Sequence, residues 1–190
     1  MARTQTSSGQ RAKQSRENWL LRILLGQNEP DAYTKITFYI LLTLASLFLV
    51  WNTVGYVALT FQHLIHVHRH VAIDTIFAER GAKLGFSAEE FTSRLTTLFV
   101  LSILCWLIVL SSLAMLWQKK TSYFPLLITG VVIYVGMLFF YLGYDYFRTD
   151  TSAFDKISLI VIFVMSTLHY FILKKEESGE GLSFFGEDDA

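Results

Sequence analysis

Four stretches of this chain, residues 36–61, 95–117, 123–144 and 157–173, are apolar throughout, contain no Asp, Glu, Lys or Arg, and dictate the solvent in which it can fold. A bilayer core about 30 Å thick is crossed by roughly 20 apolar residues at helical rise, and all four stretches reach or approach that length. Charge is confined to what lies between and beyond them. Leu, Ile, Val and Phe run on without the two-residue alternation of a transmembrane barrel strand, so helices are expected. The fold class implied is all-α: a four-helix transmembrane bundle with an N-terminal interfacial helix and an outer helical extension.

The chain divides accordingly. Residues 1–14 form a basic tail expected to be disordered, and residues 15–27 read as an interfacial amphipathic helix with Trp19, Leu20, Ile23 and Leu24 gathered on one side. Residues 30–174 are the four-span domain. Residues 175–190, rich in Glu, Asp and Gly, are expected to be a disordered acidic tail. The first apolar stretch near the N-terminus is too short for a cleavable signal, although the Ser-, Thr- and Arg-rich start also has the composition of a transit peptide.

Asn28, Pro30 and Asp31 supply a cap, an early proline and a first-turn acid for a helix starting near residue 30. No breaker follows until Gly81, which reads as a C-cap, so the first span is expected to continue as a polar extension through His63 to Arg80. Ser87 and Glu90 have capping-box spacing for the next helix. The two arms of this hairpin project unequally, so the extension is expected to bend, lie on the membrane or dock.

Ten of the sixteen Lys and Arg residues fall on the side of the two tails and the shortest loop, including Lys119, Lys120, Lys174 and Lys175. The positive-inside rule then places both termini in the cytoplasm, in a bacterial inner membrane or, alternatively, an organelle inner membrane. Net charge is zero, which gives no reason to expect a nucleic-acid partner. Cys105, the single cysteine, lies inside a span and excludes an intramolecular disulfide.

Two constellations carry chemistry or contact. In the first, His63, His66, His70 and Asp74 fall within about an 80° stripe of one helix, a candidate metal site for Zn²⁺ or copper. One helix offers two or three ligands, so Glu79, Glu89, Glu90 or Asp145 would have to complete the shell. The same histidines also suit an interfacial face, or a pH sensor charging near the usual imidazole value. The second is a set of helix-packing positions: Ala45 and Asn52 in the first span, and Thr129, Gly136 and Gly143 repeating at seven in the third.

No carboxylate sits in mid-span, and no nucleophile, phosphate or disulfide-exchange motif is present. His169 lacks a second histidine at matching depth for haem. No catalytic residue and no cofactor is expected. The reading is a non-catalytic multi-pass subunit, or an assembly or stabilising factor, of a larger membrane complex. Its partners would be the lipid bilayer and other integral membrane proteins or further copies of itself. The alternative is a metal-dependent membrane enzyme, chaperone or transporter using the histidine stripe.

Overall fold

The computed structural model describes residues 30–61 and 73–178, and these are helical with short turns. The helices are α1 (Ala32–Thr60), α2 (Ile73–Lys83), α3 (Ala88–Trp117), α4 (Tyr123–Thr149) and α5 (Ala153–Glu177). Four of them, α1, α3, α4 and α5, are long and apolar enough to cross a membrane. The chain is a multi-pass helical membrane protein. Its four spans bring the two described chain ends to the same end of the bundle, where Lys119 of the α3–α4 turn lies between Asp31 and Glu176.

The buried residues show why these helices pair. In α1 they include Phe38, Leu41, Ala45, Phe48 and Asn52, and in α3 Phe91, Leu95, Leu98, Ser102, Cys105, Val109, Ser112 and Leu116. Alternating steps of three and four make a narrow seam, as in left-handed bundles. α3 runs through the centre, packed on both α1 and α4. At mid-bundle the Phe48 and Trp106 rings stack with centroids 4.4 Å apart, and Tyr134 meets Trp106 edge-on at 5.2 Å. Gly130 permits the α3–α4 approach, since a Cβ there would come within 2.8 Å of Val109.

Helix ends depart from the sequence reading in several places. Asp31, not Asn28, caps α1, its carboxylate accepting from the Thr34 amide at 3.1 Å. α1 closes at Thr60 with Phe61 as its C-cap, and α2 covers Ile73–Lys83; residues 62–72, where the expected extension begins, lie outside the described residues. α2 ends through Gly85 in the left-handed region, with Phe86 N–H donating to Gly81 C=O and Gly85 N–H to Ala82 C=O. Gly81 is a packing glycine instead: a Cβ would lie 3.1 Å from that of Phe91. α2 therefore docks on α3, which resolves the unequal hairpin.

Ser87 does cap α3, but Glu90 turns to Arg94 and does not reach back to the cap. The two-way capping box belongs to Ser152 and Asp155 at the start of α5. α4 runs five residues past the expected end, through a break at Gly143 with φ 81°. Arg94 donates to the Tyr141 carbonyl at 3.1 Å, satisfying a group close to the break. Residues 175–177 belong to α5 and not to an unstructured tail.

Candidate functional site

A buried polar network joins α1, α4 and α5 at the end where the described termini meet. It begins with Asp31, capped onto the first turn of α1, and Thr34, one turn later on the same face. The Thr34 hydroxyl donates to Asp31 Oδ1 at 2.7 Å and lies 3.0 Å from His169 Nε2. Its one proton is used by the carboxylate, so Nε2 carries the hydrogen in this bond. His169 Nδ1 lies 2.9 Å from the Tyr123 hydroxyl, which also sits 2.8 Å from the Ser166 carbonyl. Tyr33 stacks on the imidazole, with centroids 5.6 Å apart. His169 and Tyr123 are completely buried.

The neutral imidazole leaves the single Tyr123 proton shared between two acceptors, Nδ1 and the carbonyl. An imidazolium would give every bond its own proton, with charge compensated through Thr34 by Asp31. The network ends at the Ser166 carbonyl, and among the described residues no hydrogen bond leads onward from it. It links α1, α4 and α5 at one end of the bundle.

Lys119 closes the network from outside. Its ammonium lies 2.7 Å from Asp31 Oδ1 and 3.9 Å from Glu176. Partial burial alone would push the Asp31 carboxyl up, but the Lys119 bond and charge and the two Thr34 hydrogen bonds outweigh it, holding it well below the usual carboxylate range. Lys119 is the one non-glycine residue with positive φ (55°) among the described residues, at the left-handed position that ends α3. Lys120 N–H donates to Met115 C=O and Lys119 N–H to Leu116 C=O across that turn.

The sequence alone does not assemble this constellation: it weighs His169 only against haem ligation and gives Asp31 as a first-turn acid. Thr34, Tyr123 and His169 are separated by 135 and 46 positions along the hydrogen-bonded pairs. No local pattern joins them.

The sequence-predicted residues are placed as follows. His63, His66 and His70 lie outside the described residues, and Asp74 is described only as part of the α2 backbone. Among the described residues no three His, Cys, Asp or Glu side chains gather as a metal shell. Ala45 and Asn52 are buried at the α1 seam, Asn52 donating to the Phe48 carbonyl at 2.7 Å. Thr129 and Gly136 face outward, and a Cβ on Gly136 would meet nothing within 4 Å. Gly143 is the break in α4 rather than a close-packing position. The glycine that allows close approach in this helix is Gly130, outside the expected seven-residue repeat.

Neither protein-family models nor curated proteins nor solved structures yield a match to this chain. Its class is defined by its own fold: a four-span helical membrane protein.

Proposed function

We propose that this chain is a non-catalytic subunit, or an assembly or stabilising factor, of a larger membrane complex, seated in a bacterial inner membrane with both termini cytoplasmic. The observation that carries the reading is the outward face of α4. Thr129 and Gly136 are seven residues apart on one face of α4, yet nothing among the described residues lies within 4 Å of a Cβ at Gly136. Small residues let a second backbone approach closely, and this is the arrangement by which helices associate where the hydrophobic effect gives no drive. The flanking Val132, Ile133 and Phe140 are exposed, Phe140 at 79%.

The polar network supports the non-catalytic part of the reading. Its hydroxyls, imidazole and carboxylate are hydrogen-bonded to one another, and the ring of His169 is shut away from any substrate. The cytoplasmic assignment rests on the concentration of Lys and Arg toward the termini.

Native mass spectrometry after gentle extraction tests the proposal. Wild type is expected above monomer mass, and Gly136→Leu at monomer mass with an unchanged melting temperature. A wild-type chain that runs alone under every mild extraction would overturn the association reading. A Gly136→Leu complex of unchanged mass would remove the α4 face as the contact.

A further inference from the structure

The end of the bundle opposite the His169 network is hollow. A cavity of about 410 Å³ lies among α1, α3, α4 and the start of α5, within the range of small-molecule sites. Its origin is the way α5 is held. The atomic contacts that tie α5 to α1, Thr34 with His169 and Tyr33 with His169, are at the termini end. At the far end α5 is attached to α4 through the short turn at residues 150–152. The hydrogen bond and ring stack between the two helices lie at one end of the bundle and the cavity at the other.

We propose that this cavity binds an amphiphile with an apolar tail and a primary ammonium head. The tail requirement comes from the walls. Leu47 and Trp51 of α1 and Phe154 of α5 line the cavity and are themselves largely exposed on the membrane-facing surface, so the space communicates with lipid. Deeper in, the buried Asn52 spends its amide N–H on the Phe48 carbonyl, so the wall there leaves no donor that an apolar tail would strand.

The head requirement comes from the rim, which carries two carboxylates of unlike status. Asp150 is neutralised by Arg80 at 2.9 Å and accepts from Thr149 at 3.0 Å. Asp155 has no ion pair among the described residues; the bonds from Ser152 N–H and Oγ–H both fall on its Oδ2. Its neighbour Lys156 turns away, donating to the Arg148 carbonyl at 3.0 Å and lying over the Phe147 ring. Beside Asp155 in the lining, the Thr151 hydroxyl is buried with no hydrogen-bond partner. An uncompensated carboxylate, an unused hydroxyl and the Trp51 face are a receptor for a group with three N–H donors and one positive charge. A trimethylated head presents no N–H and would leave Asp155 Oδ1 and the Thr151 hydroxyl without a donor. This chemistry is offered by an aminophospholipid of the surrounding leaflet and by a free long-chain amine. The site is independent of the association face on α4.

The test uses the full chain in nanodiscs of equal phosphatidylethanolamine and phosphatidylcholine, with retained lipid counted by native mass spectrometry. One phosphatidylethanolamine per chain is expected to be retained in preference to phosphatidylcholine. Asp155→Asn keeps an oxygen for the Ser152 cap and should lower that preference about tenfold, the loss of one charge-assisted hydrogen bond. Leu47→Trp fills the opening and should abolish retention. Melting temperature is followed for both variants, so that loss of fold is told apart from loss of ligand. Dodecylammonium that displaces the lipid shows the ammonium to be sufficient, whereas lipid that resists it identifies the phospholipid head as the source. Equal retention of the two phospholipids by wild type, or an unchanged preference in folded Asp155→Asn, would overturn the proposal.

Discussion

Thr34 and His169, separated by 135 positions, meet at 3.0 Å and thereby fasten the first described helix to the last. Because Thr34 also donates to Asp31, the imidazole is oriented by a helix cap, and because Tyr123 holds the other ring nitrogen, the α3–α4 turn is brought into the same clasp. Buried polar groups of this kind are costly when half-satisfied. Replacing His169 by Phe keeps the bulk and removes both acceptor and donor. It is expected to destabilise the bundle by about 1–3 kcal/mol, from two buried hydrogen bonds lost while Thr34 and Tyr123 keep their bonds to Asp31 and the Ser166 carbonyl. Thr34→Val should cost about 1–3 kcal/mol on the same basis. Unfolding in mixed micelles measures both, and a combined variant no worse than His169→Phe alone would show that they act through one linkage.

Asp31 makes the clasp sensitive to acid. Its carboxyl is held below the ordinary carboxylate range, and a group with a depressed folded pKa contributes stability that is complete above its unfolded value near 4. That contribution is lost as pH falls from the unfolded value toward the lower folded one. Wild type should therefore lose stability below about pH 4, and Asp31→Asn should show a flatter acid limb while starting from lower stability at pH 7. A thermal melt series from pH 7 to pH 3 checks both slopes. Parallel curves for the two proteins would exclude Asp31 as the titrating group.

Lys119 combines a strained backbone with the partner of that carboxylate. Lys119→Gly should relieve about 1 kcal/mol of left-handed strain while deleting a partly exposed ion pair worth about as little, so net stability should change by less than about 1 kcal/mol. The acid limb should nonetheless become flatter, because without its cation Asp31 titrates closer to its unfolded value and less stability is lost on protonation. A large loss of stability at neutral pH would show that the pair contributes far more than its exposure implies.

The spans were legible because charge-free runs have a single physical outcome in a bilayer, and Ala45 and Asn52 because small and amide side chains favour a seam. Two kinds of feature were not. Where a helix ends depended on competition between neighbours: Gly81 and Gly85 are equally good breakers by composition, and the close approach of Phe91 to Gly81 decides which one turns left-handed. Which side of α4 faces inward depended on α3. The seven-residue repeat Thr129, Gly136, Gly143 is a real periodicity, but Gly130, one residue off it, is where Val109 leaves no space. Tertiary polar contacts such as Tyr123 with His169 have no sequence period at all.

Gly130 and Gly136 therefore separate internal packing from external contact within one helix. Gly130→Leu forces a side chain into Val109 and should destabilise the isolated chain by about 1–3 kcal/mol or more, as overpacking does. At Gly136 a Cβ meets nothing within 4 Å among the described residues, so Gly136→Leu, replacing glycine in a helix, should leave stability equal or raise it by up to about 1 kcal/mol. Unfolding of the monomeric protein in detergent distinguishes them. Equal loss in both would place Gly136 inside the bundle after all.

The break in α4 has a donor from another helix beside it, Arg94 on the Tyr141 carbonyl. Gly143 adopts φ 81°, a region costly to any residue with a Cβ, and nothing lies within 4 Å of where that Cβ would sit. Gly143→Ala therefore isolates backbone strain from steric clash, and about 1–3 kcal/mol of destabilisation is expected for this glycine-only region. Arg94 is the complementary element: it donates to the Tyr141 carbonyl, pairs with Glu90 at 2.9 Å and lies over the Phe86 ring at 4.8 Å. Arg94→Met preserves the stem and removes these contacts, so the carbonyl near the break loses its donor. If the break is held by that donor, Arg94→Met should increase amide exchange at residues 143–149 while leaving the first half of α4 protected. Protection unchanged across α4 would mean that Gly143 alone sets the geometry, and the Gly143→Ala cost would then stand as the whole energetic signature of the break.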